Sequence, residues 1–318
     1  MNILITGATG FLGSWFCRIL AKNHEVTALV RPESVLYRIN DIRNLRVEVA
    51  PAESWTTFIR NHESEVFIFN DWWGVGNQFR NDDKQFENIE RFKKLLASAI
   101  KPSTKIIVGV GSQAELGPVS GTILESQSDN PTTKYGQAKV EARKLLLNIN
   151  ENPNIRTVWL RIFSTYGPLD SSGWLIADTI SNLIANKEMQ LTAGEQEWSY
   201  LHSYDLALAL NVILENEEIS GIVNAGNPYT DKISKVVTSI AAILAKPNLI
   251  QLGALPYRDD QVMQLKPACE KLTQSGWKPK VELFDGLSHL IDWYKGKNSN
   301  LFLNDGTSVS FELPKISK

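Results

Sequence analysis

The fold of this chain is decided by one stretch, Asn2-Ile3-Leu4-Ile5-Thr6-Gly7-Ala8-Thr9-Gly10-Phe11-Leu12-Gly13. Residues 2–6 are mostly apolar or β-branched, as in a strand that is buried on both faces. Apolar residues then recur with the period of a helix as far as about Ala21, and the glycines fall between these two segments. A strand, a glycine-rich turn and a helix in this order predict an α/β fold of the Rossmann type, with a doubly wound parallel sheet.

The three glycines of this turn are spaced three residues apart, and each spacing has a physical use. Gly7 permits the tight turn, Gly10 lets the backbone approach a pyrophosphate, and Gly13 allows the helix to pack closely on the strand. The first N–H groups of the helix and its dipole favour an anion at that end. A chance glycine-rich turn is the alternative, and the flanking strand and helix argue against it. We therefore expect a dinucleotide site formed by Gly7, Gly10, Phe11, Leu12 and Gly13.

The alternation of strands and helices continues along the chain. Further strands are predicted at residues 25–30, 66–70, 105–110 and 157–162, and a helical pattern occupies residues 86–99. From about Leu169 the pattern changes to helical segments separated by short strands and Pro/Gly turns, with the helices at residues 175–186, 204–216 and 235–244. We interpret residues 1–168 as the dinucleotide-binding domain that also carries the catalytic residues. Residues 169–297 are expected to form a smaller, mainly substrate-binding region interleaved with the last strands of the sheet, and residues 298–318 a tail of no assigned function.

Composition and charge limit the possible partners. Hydrophobic residues make up 43% and charged residues 21% of the 318-residue chain, which is typical of a globular protein with a large core. The net charge is −2 and no dense basic cluster occurs, so we expect no nucleic-acid partner. The longest nearly apolar run, Leu206 to Leu214, is far shorter than the roughly 20 residues that span a bilayer, so we expect no membrane association.

The two cysteines, Cys17 and Cys269, have no spacing typical of a metal site, so none is predicted. We expect reduced thiols and, because no leader-like segment is visible, a cytoplasmic location.

The predicted second strand bears on the choice of cofactor. An enzyme that uses NAD commonly ends this strand with Asp or Glu, which binds the ribose 2′-hydroxyl. Here the strand ends Leu29-Val30-Arg31, without a carboxylate. Arg31 carries a planar cation suited to a 2′-phosphate, and Arg38 could assist. A solvated surface arginine is the alternative interpretation; we favour NADP(H).

Tyr135 and Lys139 are four residues apart, a spacing that places both on one face of a helix. A phenol with a pKa near 10 is a poor acid at neutral pH, and a neighbouring ammonium stabilises the phenolate and lowers that pKa. The pair therefore indicates acid–base chemistry, with Lys139 also available to hold the ribose of the cofactor.

Residues 1 to about 295 resemble the extended short-chain dehydrogenase/reductase family of NAD(P)-dependent sugar epimerases, dehydratases and reductases. The resemblance is carried, in order, by Thr6 to Gly13, Gly111-Ser112-Gln113-Ala114-Glu115-Leu116-Gly117, Tyr135 with Lys139, Leu160-Arg161-Ile162-Phe163, Tyr166-Gly167-Pro168, Gly194-Glu195-Gln196 and Gly276-Trp277-Lys278-Pro279. The resemblance implies that Ser112 hydrogen-bonds the reacting oxygen, that Phe163 contributes to the cofactor site, and that the chain forms a homodimer.

A finer resemblance is to reductases that make CDP- or dTDP-linked deoxyhexoses. It rests on residues 70–75 followed by Arg80-Asn81, and on residues 252–258. It implies a nucleotide-sugar substrate, and the expected substrate-binding residues are Trp72, Gln113, Trp198 and Arg258.

Two departures from the family pattern affect the expected reaction. Gln113 and Ala114 occupy the positions where the dehydratases carry Asp and Glu, which argues against dehydration. Trp198-Ser199 replaces an Arg-Asp pair whose arginine binds the diphosphate, so either Arg258 supplies that contact or the substrate differs.

We expect NADPH-dependent reduction of the C4 ketone of a nucleotide-linked 4-keto-6-deoxysugar. Tyr135 would donate the proton, Ser112 would orient and polarise the oxygen, and Lys139 would lower the pKa of Tyr135 and hold the ribose. Three alternatives remain open: a nucleotide-sugar C4 epimerase, an NADP-dependent reductase of a non-sugar carbonyl, and a non-catalytic NADP-sensing protein.

Overall fold

The structure, a computed structural model, describes residues 1–151, 154–170, 173–259 and 261–315. The strands are β1 (Asn2–Thr6), β2 (Glu25–Val30), β3 (Leu45–Val49), β4 (Val66–Phe69), β5 (Ile106–Ser112), β6 (Gly121–Ile123), β7 (Arg156–Ile162), β8 (Thr165–Tyr166), β9 (Met189–Gln190), β10 (Glu197–Trp198), β11 (Leu201–His202), β12 (Gly221–Ala225), β13 (Asp231–Lys232), β14 (Ile250–Gln251), β15 (Gln264–Pro267), β16 (Asn300–Phe302) and β17 (Ser308–Ser310). The helices are α1 (Phe11–Leu20), α2 (Trp55–Asn61), α3 (Glu87–Ala99), α4 (Lys134–Leu147), α5 (Leu175–Ile184), α6 (Ser203–Glu215), α7 (Ile233–Ile243), α8 (Glu270–Gln274) and α9 (Leu283–Tyr294).

The central sheet has seven parallel strands in the order β12-β7-β5-β4-β1-β2-β3. The predicted doubly wound Rossmann-type sheet is confirmed. Its strand order reverses at β1, which pairs with β2 on one side and with β4 on the other. Ligands of such sheets bind in the crevice beyond the carboxyl ends of the strands at this reversal, which is where the glycine-rich turn lies.

Both faces of the sheet are buried, which explains the nearly continuous apolar strands of the sequence. On β1, Ile3 and Ile5 belong to a core that also contains Trp15 and other residues of α1. Leu4 faces the opposite way, into a second core with Trp159 and residues of α2 and α3. Because successive strand residues point to opposite faces, each strand contributes to both layers.

Two strands of the central sheet were not predicted from the sequence. β3 lies at the edge of the sheet, where the charged Arg46 and Glu48 alternate with half-buried residues and interrupt any apolar run. β12 begins at Gly221, whose positive φ of 70° and missing side chain weaken the strand pattern, and it contains the buried Asn224. Both strands are set by their neighbours more than by their own composition.

The part of the chain after residue 168 is joined to the central sheet in two ways. β12 adds to the edge of the main sheet beside β7. A four-stranded sheet in the order β13-β10-β15-β6 joins three later strands to β6, which comes from the earlier part of the chain. The residues beyond the carboxyl ends of β5 and β7 therefore lie next to β10 and β15.

Both cysteines are buried and free, and burial raises the pKa of each thiol to about 12. In the described part of the chain, no helix is long and apolar enough to cross a membrane. The same residues contain no group of three or more His, Cys, Asp or Glu side chains that could hold a metal ion.

The tail from residue 298 begins with the hairpin β16–β17, and its apolar side chains complete the larger core. Leu301 is fully buried, and Leu303, Phe311 and Leu313 are nearly so. The indole Nε1 of Trp293 on α9 donates a hydrogen bond of 2.8 Å to the carbonyl oxygen of Pro314. The tail is thus packed as part of the domain.

Replacing Leu301 by alanine should therefore destabilise the whole fold. Removing a buried leucine side chain costs about 2 to 5 kcal/mol of unfolding free energy. Phe302 is the matched control, because its side chain is 56% exposed on the other face of the same strand and its replacement by alanine should cost about 0.5 kcal/mol or less. Urea unfolding of both variants measures the difference, and equal midpoints would show that the tail does not contribute to the core.

Candidate active site

The glycine-rich turn leaves no room for side chains. Gly7 has a φ of +69°, and a Cβ there would lie 2.4 Å from the carbonyl oxygen of Asn70. A Cβ on Gly13 would lie 2.1 Å from the carbonyl oxygen of Gly7. The Asn70 side-chain amide donates a hydrogen bond of 3.1 Å to that same oxygen, so Asn70 fixes the turn from β4. The sequence interpretation had not assigned Asn70 to the site.

The turn ends at the N-terminus of α1, which is suited to a diphosphate. Gly10 is the N-cap, and no side chain caps the helix. The first N–H groups of a helix need an outside acceptor, and the helix dipole favours a negative one. Phe11 and Leu12 are half-buried there and pack against the larger core. The predicted residues of this turn therefore form a cradle that fits the pyrophosphate of a dinucleotide.

Two arginines lie near this cradle. Arg38 donates hydrogen bonds to the carbonyl oxygens of Thr9 (3.3 Å) and Leu169 (2.9 Å), so it braces the glycine-rich turn. Arg31 follows β2 and is exposed, with its Nε 3.3 Å from a carboxylate oxygen of Glu33.

Ser112 is the last residue of β5 and caps the short 3-10 helix that follows. Its hydroxyl accepts a hydrogen bond of 3.2 Å from the N–H of Ala114. The carboxylate of Glu115 accepts one of 2.8 Å from the N–H of Ser112 in return. This reciprocal capping box fixes the backbone of Ser112 at the carboxyl end of the sheet.

Glu115 is fully buried and holds together three elements of the site. Its carboxylate accepts hydrogen bonds from Trp159 Nε1 (2.8 Å) and Arg161 Nε (3.4 Å) on β7, and from Arg143 Nη1 (3.0 Å) on α4. A buried carboxylate requires such paired donors. The sequence placed Glu115 beside Ser112 but could not identify these partners, which lie 28 to 46 residues away.

Tyr135 lies in the first turn of α4 and is buried. Thr133 is the N-cap of this helix and accepts a hydrogen bond of 3.1 Å from the N–H of Gly136. The N–H of Tyr135 donates a hydrogen bond of 2.8 Å to the carbonyl oxygen of Arg80. Burial raises the pKa of the Tyr135 phenol, whereas a hydrogen bond with Ser112 and the charge of Arg80 act to lower it.

Lys139 lies one helical turn after Tyr135 and is also buried. Its ammonium donates a hydrogen bond of 2.7 Å to the carbonyl oxygen of Val110 and lies 3.7 Å from the ring centroid of Trp72. The centroid of the Tyr135 ring is 5.7 Å from the same ammonium. Burial lowers the pKa of Lys139 to about 7, although the carboxylates of Glu115 and Asp71 act to raise it.

Some of the expected substrate-binding residues adjoin this group. The ring centroid of Trp72 is 6.4 Å from that of Tyr135, and its Nε1 donates a hydrogen bond of 3.0 Å to Gln85. The buried side-chain oxygen of Gln113 has no hydrogen-bond partner among the described residues.

Phe163 and Trp198 share a small apolar cluster beyond β7, and Trp198 Nε1 donates a hydrogen bond of 2.8 Å to the Ser164 hydroxyl. Arg258 is exposed on a loop.

The model of the NAD-dependent epimerase/dehydratase family matches residues 3–226. The chain belongs to this family. It is therefore an enzyme whose site is built for a nicotinamide dinucleotide, in agreement with the glycine cradle beside Ser112, Tyr135 and Lys139.

Curated relatives and solved structures agree with this assignment. An uncharacterized UDP-glucose epimerase of Bacillus subtilis is 25% identical over 264 residues, which cover 76% of this chain and 82% of the relative. A dTDP-6-deoxy-L-talose 4-dehydrogenase (NAD(+)) of Aggregatibacter actinomycetemcomitans is 25% identical over 78% of this chain and 92% of the relative. Multifunctional relatives from Arabidopsis thaliana are longer, and the chain spans 47% of their length.

A UDP-N-acetylglucosamine 4-epimerase structure from Methanobrevibacter ruminantium superposes with a TM-score of 0.82 at 18% identity, over 93% of this chain and 98% of that one. This likeness confirms the fold.

The low pKa of Lys139 predicts that cofactor binding takes up a proton. At pH 8 a group with a pKa of about 7 is mostly neutral, and an anionic cofactor with ribose hydroxyls favours the ammonium. Uptake should approach one proton at pH 8 and about half a proton at pH 7, and affinity should fall as the pH rises above 7. Calorimetric titration in buffers of different ionisation enthalpy measures the uptake.

Lys139→Met should abolish this uptake. Lys144→Met, which removes an exposed lysine of the same helix, should leave it intact. A wild-type chain that takes up no proton would contradict the assignment of the charged form of Lys139 to the cofactor complex.

Proposed function

We propose that the chain reduces the C4 ketone of a nucleotide-linked 4-keto-6-deoxysugar with NADPH. The observation that carries the proposal is the convergence of the Ser112 hydroxyl, the Tyr135 phenol and the Lys139 ammonium beside the glycine cradle. Gln113 and Ala114, which follow Ser112, carry no carboxylate. This set can deliver one proton and one hydrogen bond to a carbonyl oxygen, which is what a reduction requires.

When bound, NADPH supplies the hydride that reaches the C4 carbon. The phenol of Tyr135 gives its proton to the C4 oxygen as negative charge develops there, and this leaves a phenolate on Tyr135. The Ser112 hydroxyl donates a hydrogen bond to the same oxygen and so polarises the carbonyl. Lys139, whose ammonium donates a hydrogen bond to the carbonyl oxygen of Val110, would hold the ribose and add a positive charge near the phenolate.

The nearest carboxylates argue against dehydration. Loss of water from a hexose needs one group that removes a proton and another that protonates the leaving oxygen. Glu115 is fully buried and bound to Arg143 and Arg161, and Asp71 lies 3.3 Å from Arg91. Both carboxylates are therefore paired with arginines, which makes them poor candidates for accepting or donating a proton.

The choice of NADPH rests on Arg31. Arg31 follows β2 at the position where an NAD-dependent enzyme commonly has Asp or Glu. Glu33 pairs with Arg31 at the surface, but an exposed ion pair is worth little and a 2′-phosphate can replace it.

Residues 169–297 are proposed to supply most of the substrate-binding region, with Trp198 and Arg258 on that side and Trp72 and Gln113 on the side of the sheet. The unpartnered side-chain oxygen of Gln113 is suited to a sugar hydroxyl. The proposal also includes a homodimer, which rests on the family resemblance, and a cytoplasmic location, with which two free buried thiols are compatible.

A C4 epimerase is the second candidate, since one of the similar solved structures is named a 4-epimerase and one curated relative a UDP-glucose epimerase. The same three residues would oxidise C4 and then reduce it from the other face, with no net consumption of cofactor. The dTDP-6-deoxy-L-talose 4-dehydrogenase relative, which is named for NAD(+), favours net oxidation or reduction at C4, and Arg31 is the reason for choosing NADPH.

Mass spectrometry and NADPH absorbance distinguish these reactions. With a 4-keto-6-deoxy nucleotide sugar, we expect one NADPH consumed per product and a product two hydrogens heavier. Tyr135→Phe should retain cofactor binding and lose about 10² to 10⁴ in rate, because the proton donor is missing. Conversion of a nucleotide sugar with a C4 hydroxyl into an isomer of unchanged mass, without net NADPH use, would instead assign a C4 epimerase, and loss of one water from the parent hexose would assign a dehydratase.

NADP(H) should bind more tightly than NAD(H), because Arg31 can pair with the 2′-phosphate. Replacement of Arg31 by alanine should remove most of that preference, with a change of about tenfold or more in the affinity ratio. Fluorescence titration of both cofactors with both proteins measures it. Arg46→Ala, an exposed arginine on the neighbouring strand β3, is the control. Equal wild-type affinities for the two cofactors would refute the prediction.

A further inference from the structure

Arg80 places a second cation beside the catalytic phenol. Its guanidinium carbon lies 5.1 Å from the ring centroid of Tyr135 and 5.5 Å from that of Trp174. Its Nε is 3.4 Å from the carbonyl oxygen of Val75. No carboxylate lies within 4.0 Å of the guanidinium among the described residues, so its charge is not neutralised by a described neighbour.

The backbone around Arg80 is attached to the helix that carries Tyr135. The N–H of Tyr135 donates to the carbonyl oxygen of Arg80, at 2.8 Å. Next to it, the ammonium of Lys134 lies 2.7 Å from a carboxylate oxygen of Asp83. The backbone of Arg80 is therefore tied to the helix that carries Tyr135, and its guanidinium contacts the rings of Tyr135 and Trp174.

The charge on Arg80 is permanent, unlike that on Lys139. A guanidinium stays protonated at any pH at which the protein is folded. Lys139, with a pKa of about 7, is charged only about half of the time at neutral pH before cofactor binds. Arg80 is thus the constant positive charge near Tyr135.

We propose that Arg80 is a positioning residue for proton transfer, because its guanidinium stabilises the negative charge that Tyr135 acquires on giving its proton to the substrate oxygen. The inference rests on the proposed function in taking Tyr135 as the proton donor. In that step the O–H bond of Tyr135 breaks, an O–H bond forms on the former carbonyl oxygen, and the negative charge left on the phenol oxygen interacts with the charges of Arg80 and Lys139. Arg80 acts through Tyr135 and needs no contact with the sugar.

Other groups near the phenol of Tyr135 also affect its pKa. The Ser112 hydroxyl at the end of β5 lowers the pKa of Tyr135, and buried Glu115 raises it. Lys139 approaches from the same helix, with Asp71 and Arg91 beyond it. Replacing Arg80 alone leaves all of these in place.

The test is a spectroscopic titration of Tyr135 that needs only cofactor. The phenolate absorbance of the chain saturated with oxidised cofactor is measured to pH 10.5, and the same curve for Tyr135→Phe is subtracted. Arg80→Met and Arg80→Gln should raise the pKa of Tyr135 by about one unit, a size typical of a nearby charge that is partly screened. Arg80→Lys should restore most of the shift. Lys144→Met, with the same change in net charge, should not move the curve.

Turnover gives an independent measurement with a defined sign. Reduction requires the protonated phenol, so its rate falls as the pH rises through the pKa of Tyr135, and this fall should move to higher pH by about one unit in Arg80→Met. The reverse oxidation requires the phenolate and should slow about tenfold below that pKa.

The outcomes separate this inference from the proposed function. A Tyr135 titration that is unchanged in Arg80→Met and Arg80→Gln overturns the inference, even if activity falls, and would assign Arg80 to substrate binding. The absence of any wild-type phenolate signal below pH 10.5 overturns it as well. A shifted titration in a chain that reduces no nucleotide sugar supports the inference while the proposed substrate fails.

Discussion

The buried carboxylate of Glu115 is the interaction on which the catalytic geometry depends. It accepts hydrogen bonds from the backbone of Ser112 on β5, from Trp159 and Arg161 on β7, and from Arg143 on α4. One side chain therefore joins the strand that carries the serine to the helix that carries the tyrosine and lysine. Removing one partner of a buried ion pair commonly costs 3–5 kcal/mol, because the other charges are left unpaired. Replacing the whole network by apolar residues is often neutral for stability, so its value here is in fixing positions.

The cofactor side of the site depends on a different constraint, the absence of side chains. Gly7 and Gly13 approach within a distance that no Cβ tolerates, and this contact brings α1 against the end of β1. The backbone N–H groups of the turn are thereby presented at the reversal of strand order. A rigid carboxylate network and a glycine contact thus fix the two halves of the site independently. Between them lies Lys139, whose ammonium donates a hydrogen bond to the carbonyl oxygen of Val110 and faces the ring of Trp72.

The sequence could predict the features that depend on the spacing of residues close together in the chain. Three glycines between a strand and a helix specify the turn, and Tyr135 with Lys139 four residues later specifies one face of a helix. The contacts that could not be predicted join residues far apart in the chain. Arg80 contacts Tyr135 from a loop without helical or strand periodicity, and the arginine partners of Glu115 lie on α4 and β7. β3 was missed because an edge strand needs no apolar run, and its pairing with β2 decides its conformation.

Two cations with different properties, Lys139 and Arg80, lie near Tyr135. Burial lowers the pKa of Lys139 to about 7, so its charge depends on what binds near it. The same burial strengthens the electrostatic effect of Lys139 once it is charged. Arg80 is half-buried, so solvent screens its charge more than that of the buried Lys139. The charge of its guanidinium does not depend on the cofactor. The acidic side chains closest to the phenol are themselves tied to arginines, so they offset these cations only in part. Under the proposed function, these two cations oppose the burial that raises the pKa of Tyr135, and they do so most strongly when Lys139 is charged.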